Sequence, residues 1–143
     1  RDPEGLERLN CERYERYNYI KENEAMYEEY LMDDAEYAIA AFGIASRVAK
    51  NAINEARKQG IKVGMIRPIT LWPFPTAPFK KAADKVKAII SVELSMGQMI
   101  EDVKLATECK VPVTLCNRVG GMIVSPEQVL EAIKKVAENG GAK

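Results

Sequence analysis

The spacing of apolar residues changes several times along this chain, and each change marks an element. Between residues 5 and 26, Leu6, Leu9, Tyr14, Tyr17 and Ile20 recur among charged neighbours at spacings of three to five. That period predicts a helix with one approximate apolar face. Tyrosine suits a helix that covers another surface, because its ring is apolar and its tip polar; a plain surface helix or an unstructured lead-in are the alternatives. Residues 28–32 predict a short strand, and Asp33-Asp34 a turn. From Ala35 onward, short apolar runs alternate with helical stripes. Runs at 37–42, 61–66, 86–92 and 111–116 predict strands, and their near-continuous apolarity predicts burial on both faces. Between the first two lies a helix with Val48, Ala49, Ala52, Ile53 and Ala56 in its stripe, Ser46 as its cap and Gly60 as its stop. Pro68, Pro73, Pro75 and Pro78 interrupt regular structure before a short helix at 79–84. A helix at 97–109 turns Met99, Ile100, Val103 and Ala106 inward. Pro112 places the last strand's start, or the strand itself, at a sheet edge. Ser125, Pro126 and Gln128 together announce the final helix, with Val129, Leu130, Ile133 and Val136 on its buried face and Gly140-Gly141 at its end. Strands alternating with helices predict a parallel sheet covered on both faces, a three-layer α/β/α sandwich.

In such a sheet, ligands and partners dock at the carboxyl ends of the strands. Four loops belong to that edge, and they hold the candidate functional residues. The loop around Arg67 to Pro75 presents Leu71, Trp72 and Phe74 between prolines. Prolines lower the entropy of presenting a side chain, and Trp, Phe and Arg are common interface anchors. The alternative is that these aromatics fold back onto the domain's own core. Arg67 is placed to pair with a carboxylate or a phosphate. Glu93, at the end of a strand and just before a helix, can accept hydrogen bonds from backbone amides or pair with Arg67; Gln98 falls in the first turn of that helix. Arg118, Gly120 and Gly121 form a positively charged loop, with the glycines suited to positive φ or close backbone approach. The turn at residues 43–47 carries Ser46 and Arg47 at a helix start, without a G-x-G-x-x-G or Walker pattern.

Charge and composition narrow the function classes. With 47% hydrophobic and 29% charged residues in 143, the chain has the profile of a soluble globular protein with one ordinary core. Its net charge of zero is a sum: residues 1–34 hold 11 acidic and 5 basic side chains, residues 35–143 hold 10 and 16. This suggests an acidic arm lying against a basic body. The basic residues are scattered rather than interleaved with aromatics, which argues against nucleic acid. No apolar stretch approaches the length of a membrane span, and there is no secretory signal. Histidine is absent, and Cys11, Cys109 and Cys116 form no C-x-x-C pair. Three cysteines without histidine cannot complete a four-ligand zinc or iron–sulfur site, and their odd number fits a reducing cytoplasm rather than a disulfide framework. Cys116 reads as a core residue. No nucleophile is paired with a base.

The lead-in helix, AEYAIAAFG, GMIRPITLWPFP, VELSMGQMIEDV and the Gly-Gly loop occur in one order across most of the chain. Together they resemble the carboxy-terminal part of the alpha subunit of 2-oxoacid:ferredoxin oxidoreductases. The phrase VELSMGQMIEDV is most similar to the branched-chain type that acts on 2-ketoisovalerate. The resemblance implies a transketolase carboxy-terminal-like fold, with five strands in a mostly parallel sheet and the first short strand antiparallel. It implies residues 1–27 as a linker helix and 28–143 as the domain, cut from a longer subunit rather than a processed mature chain. Family members convert a 2-oxoacid and coenzyme A to an acyl-CoA and carbon dioxide, using thiamine diphosphate, iron–sulfur clusters and ferredoxin. The family's catalytic and cofactor-binding residues lie in other domains or subunits, and neither a G-D-G motif nor cluster cysteines occur here. The implied role is a non-catalytic assembly module of a cytoplasmic enzyme, with the other domains and subunits as direct partners and ferredoxin and coenzyme A as partners of the complex. An independent α/β domain that binds a small ligand or coenzyme A is the alternative; it requires a pocket near Gly43, Arg67, Glu93 and Gly120.

Overall fold

In the computed structural model, which describes residues 2–140, the four apolar runs lie side by side as parallel strands. They are β2 (Tyr37–Ala41), β3 (Val63–Pro68), β4 (Ala88–Glu93) and β5 (Val113–Asn117). A short β1 (Tyr27–Tyr30) adds antiparallel to β3, so the order across the sheet is β1-β3-β2-β4-β5. Tyr37 on central β2 stands level with Val63 on one side and Ala88 on the other.

Side-chain alternation along β2 divides the core. Tyr37, Ile39 and Ala41 face α2 (Gly43–Lys58) and α5 (Pro126–Glu138), meeting Ile53, Val129 and Ile133. Ala38 and Ala40 face α3 (Thr76–Ala83) and α4 (Met99–Ala106), meeting Phe79 and Val103. Because both faces are covered, all residues of β2 and β4 are buried, as continuous apolar runs require. The α5 capping box forms in full: Ser125 Oγ accepts from the Gln128 amide, and Gln128 Oε1 accepts from the Ser125 amide. Gly141 lies outside the described residues.

Three parallel strands run further than their apolar stretches. β3 continues through Arg67 and Pro68, β4 through Glu93 and β5 through Asn117. Each polar residue at these ends has a partner that lets it stay in the ladder. Arg67 pairs with Glu28, Glu93 is met by hydroxyls and amides, and the Asn117 side-chain amide donates to the Ser95 carbonyl at 2.6 Å. Elsewhere the elements differ from expectation for local reasons. Ser46 does not cap α2: the helix starts at Gly43, and Ser46 lies inside its first turn, donating to the Gly43 carbonyl. α4 ends at Ala106 because Glu108 and Cys109 both take φ near +53° to +54°. β1 sits one residue earlier than expected at its start and ends at Tyr30, where Leu31 turns with φ +54°.

The first helix, α1 (Pro3–Asn23), has no buried residue, and Leu6, Leu9, Tyr14 and Tyr17 are all exposed. It touches the body near its carboxyl end, where Tyr17 meets Trp72 edge-on at 5.7 Å. The acidic arm takes a different form from the one expected. The ion pairs to the body come not from α1 but from β1 and the turn after it: Glu28 to Lys50 and Arg67, and Asp34 to Arg57.

A candidate assembly surface at the carboxyl edge of the sheet

The loops that leave β2, β3, β4 and β5 all emerge at one edge. The edge is strongly apolar. Ile44 follows β2; Ile69, Leu71 and Trp72 follow β3; Leu94 and Met96 follow β4; Val119, Met122 and Ile123 follow β5; and all are exposed, Met96 by 78% and Trp72 by 58%. So many exposed large apolar side chains on the loops of one edge make it a candidate contact surface. Trp72 and Leu71 were legible from sequence. Met96, Met122 and Ile123 were missed, although each is an apolar residue in or beside a glycine-containing loop.

Glu93 organises the middle of this edge. The residue is 1% exposed, and its carboxylate accepts five hydrogen bonds. Ser91 and Ser95 donate hydroxyls at 2.8 and 2.7 Å. The amides of Gln98, Met99 and Ile100 donate at 2.9, 3.0 and 2.8 Å. These amides open α4 and have no partner within the helix. Burial pushes the Glu93 carboxyl up, but the hydrogen bonds from Ser95, Ser91, Met99 and Gln98 outweigh it and hold the group below the ordinary glutamate range. Gln98 contributes its backbone here while its side chain stays exposed.

Arg67 does not pair with Glu93. β2 lies between β3 and β4, so the two strands are not neighbours, and Glu93 is already saturated. Arg67 instead faces Glu28 across the β1–β3 ladder, with Nη1 2.9 Å from one carboxylate oxygen, while Lys50 reaches the other oxygen at 2.6 Å. These hydrogen bonds, from Lys50 first and then Arg67, hold Glu28 below its ordinary pKa. Nε of Arg67 is buried without a partner.

In the Pro-rich loop, Phe74 folds back onto the core, the alternative reading of these aromatics, while Trp72 stays exposed. Phe74 stacks on core Phe79 at 5.2 Å. Trp72 stays out, in an edge-to-face row with Tyr17 and Tyr14. Thr70 pins the loop to the link between α1 and β1: its Oγ1 accepts from the Met26 amide at 2.9 Å and donates to the Pro73 carbonyl at 2.8 Å. At the far side of the edge, Gly120 and Gly121 have φ of +65° and +83°, and no atom comes within 4 Å of a built Cβ. The need there is for left-handed backbone, not for close approach.

A hollow of about 740 Å³ lies beside the Pro-rich loop, between the end of α1 and α4, with Lys21, Glu22, Trp72, Phe74, Asp102 and Leu105 in its wall. It does not include Gly43, Arg67, Glu93 or Gly120, so it is not the pocket that an independent ligand-binding domain was expected to have. The cysteines stand on separate elements, and among the described residues no three His, Cys, Asp or Glu side chains come together as a metal site. That donor set does not fit an iron–sulfur cluster. Cys116 is half-buried, and burial pushes its thiol up.

Comparison with known proteins places this architecture. The family model described as pyruvate:ferredoxin oxidoreductase core domain II matches residues 35–129. The ketoisovalerate oxidoreductase subunit VorB of Methanothermobacter thermautotrophicus is 49% identical over 136 residues, which is 95% of this chain and 38% of that protein. The 2-oxoglutarate synthase subunit KorA of Methanothermobacter marburgensis is 33% identical over 101 residues, 71% of this chain and 27% of its own length. The chain therefore spans well under half of these relatives. Among solved structures, the 2-oxoglutarate:ferredoxin oxidoreductase of Magnetococcus marinus, with 2-oxoglutarate, coenzyme A and succinyl-CoA bound, aligns with TM-score 0.81 at 24% identity over 93% of this chain and 23% of that one. A split-gene transketolase, described as an inactive beta4 tetramer, aligns with TM-score 0.65 at 18% identity over 76% of this chain and 40% of that one. At these identities the two structures show a shared fold.

Proposed function

Because the chain belongs to the pyruvate:ferredoxin oxidoreductase core domain II family, we propose that it is the assembly domain of a thiamine-diphosphate-dependent 2-oxoacid:ferredoxin oxidoreductase. The whole enzyme would decarboxylate a 2-oxoacid oxidatively and pass the acyl group to coenzyme A and the electrons to ferredoxin, through iron–sulfur clusters. Identity of 49% to a ketoisovalerate oxidoreductase subunit supports 2-ketoisovalerate as its substrate. Thiamine diphosphate and the clusters belong to other domains and subunits, and this chain performs no chemical step alone. Residues 1–27 serve as a linker helix and 28–143 as the packed domain. The cytoplasm is the proposed compartment; among the described residues no helix is long and apolar enough to cross a membrane.

The observation that carries this reading is the apolar carboxyl edge. The surface that α/β sheets commonly give to a ligand here ends in exposed hydrophobic tips, and its one buried carboxylate is fully engaged in holding α4. Arg67, Leu71, Trp72, Phe74, Glu93, Gln98, Arg118, Gly120 and Gly121 build and support that surface rather than a reaction centre.

Reconstitution tests this. The purified chain is mixed with the remaining domains and subunits, and complex formation is measured beside Trp72→Ala. Saturable binding, weakened about tenfold or more by the substitution, is the expected result. A folded chain that binds no subunit but is stabilised by coenzyme A in a thermal melt would replace the assembly reading with the ligand-binding one.

A further inference from the structure

The charges around the apolar edge are unevenly placed. On the α2 side of the edge and in the loop after β5, the cations without an ion-pair partner among the described residues are Arg47, just inside α2, and Arg118. The acid at that edge, Glu93, is buried and saturated. Spacing of i, i+3 puts Lys50 on the same side of α2 as Arg47. Lys50 shares Glu28 with Arg67, so that cluster carries two cations to one carboxylate, and the buried Arg67 Nε lacks an acceptor. The α2 and α5 side of the edge therefore has an excess of positive charge, even counting Glu127 in the first turn of α5, which Ser125 holds. The other acids near the edge lie on the α1 and α4 side: Glu22 and Glu24 at the end of α1, and Glu101 and Asp102 in the first turn of α4, where Glu101 pairs with Lys104.

We infer that the carboxyl edge receives a neighbouring subunit's surface that is apolar at its centre and carries carboxylates opposite Arg47 and Arg118. This rests on the assembly reading and specifies its partner. The exposed apolar tips supply contact area without direction. The arginines supply orientation, since an apolar patch can slide whereas a guanidinium paired to a carboxylate fixes register. Acid on the partner also provides the counter-charge that this side of the domain lacks.

The test uses the full-length subunit that contains this chain together with its partner subunits. Dissociation constants are measured across a salt series for wild type, for the double variant Arg47→Glu/Arg118→Glu, and for Met96→Asp. Arg47 is exposed and Arg118 half-buried, and neither is ion-paired, so circular dichroism should show all three proteins equally folded. The expected result is a salt-sensitive wild-type complex, weakened about tenfold or more by the double variant, with most of the salt sensitivity lost. Unchanged affinity in the double variant with loss in Met96→Asp would overturn the acidic-partner inference and leave the assembly surface standing. Unchanged affinity in both would overturn the two together. If the double variant assembles normally but no longer binds pyrophosphate that the wild type holds, the arginines serve a small anion and the inference falls.

Discussion

Glu93 joins a strand end, a loop and a helix start through one carboxylate. Replacing it with glutamine keeps its volume but turns an NH₂ group toward amides that are themselves donors. Glu93→Gln should therefore cost about 2–3 kcal/mol of folding stability, read as a lowered urea midpoint. The pH dependence has a definite sign. The folded-state pKa is depressed, so the stabilisation is complete above the ordinary glutamate range and disappears as pH falls through the depressed value. Wild type and variant should thus differ most near neutrality and converge in acid. The position of Glu93 after an apolar run and before a helix made its amide contacts legible in the sequence. The alternative, a Glu93–Arg67 pair, does not form, since strands consecutive in sequence are separated here by β2 and Arg67 finds its internal ion pair with Glu28. Gly64 illustrates the opposite limit. A Cβ there would lie 2.5 Å from the Leu31 carbonyl oxygen, and nothing in the local sequence announces that approach. Gly64→Ala should destabilise the fold by about 1–3 kcal/mol in the same assay.

Among the elements, the final helix was the plainest to read, because cap, proline and glutamine all act within four residues. Strand ends were harder. The apolar runs stopped at Arg67, Glu93 and Asn117, whereas the ladders continue through them once each finds a partner. α1 was legible as a helix with an apolar face, but not what that face would touch. With none of its residues buried, it contributes little to the domain's stability. Removing residues 1–23 should shift the unfolding free energy by less than about 1 kcal/mol, and its amides should exchange with solvent far faster than those of β2 in hydrogen-exchange measurements. The Pro-rich loop divides in the same way. Phe74→Ala removes a stacked contact with Phe79 and should lower stability by about 2 kcal/mol. Trp72→Ala should leave stability nearly unchanged and lower binding instead.

For the molecule as a whole, the alternation of buried runs and amphipathic stripes was enough to predict a parallel sheet between two helix layers. The order β1-β3-β2-β4-β5 is not a property of any local stretch, and the antiparallel first strand came with the family resemblance. The apolar edge was only half visible, because exposure depends on where each loop points after its strand ends. With a net formal charge of zero and a pI near 6.6, copies of the chain repel one another little overall, and only the local cations Arg47 and Arg118 oppose contact between two apolar edges. The isolated chain should therefore self-associate near neutral pH in sedimentation velocity, and Met96→Asp should shift it toward monomer.

The ties across Glu93 also bear on how association proceeds. A loop whose shape came from a bound anion would fold and unfold with its ligand. Here the anion is covalently part of the chain, so residues 94–98 should keep their shape in the absence of any visitor. Docking on this edge should then resemble the meeting of two preformed solids. Its rate would follow diffusion, charge and orientation, with little ordering entropy to overcome at the moment of contact.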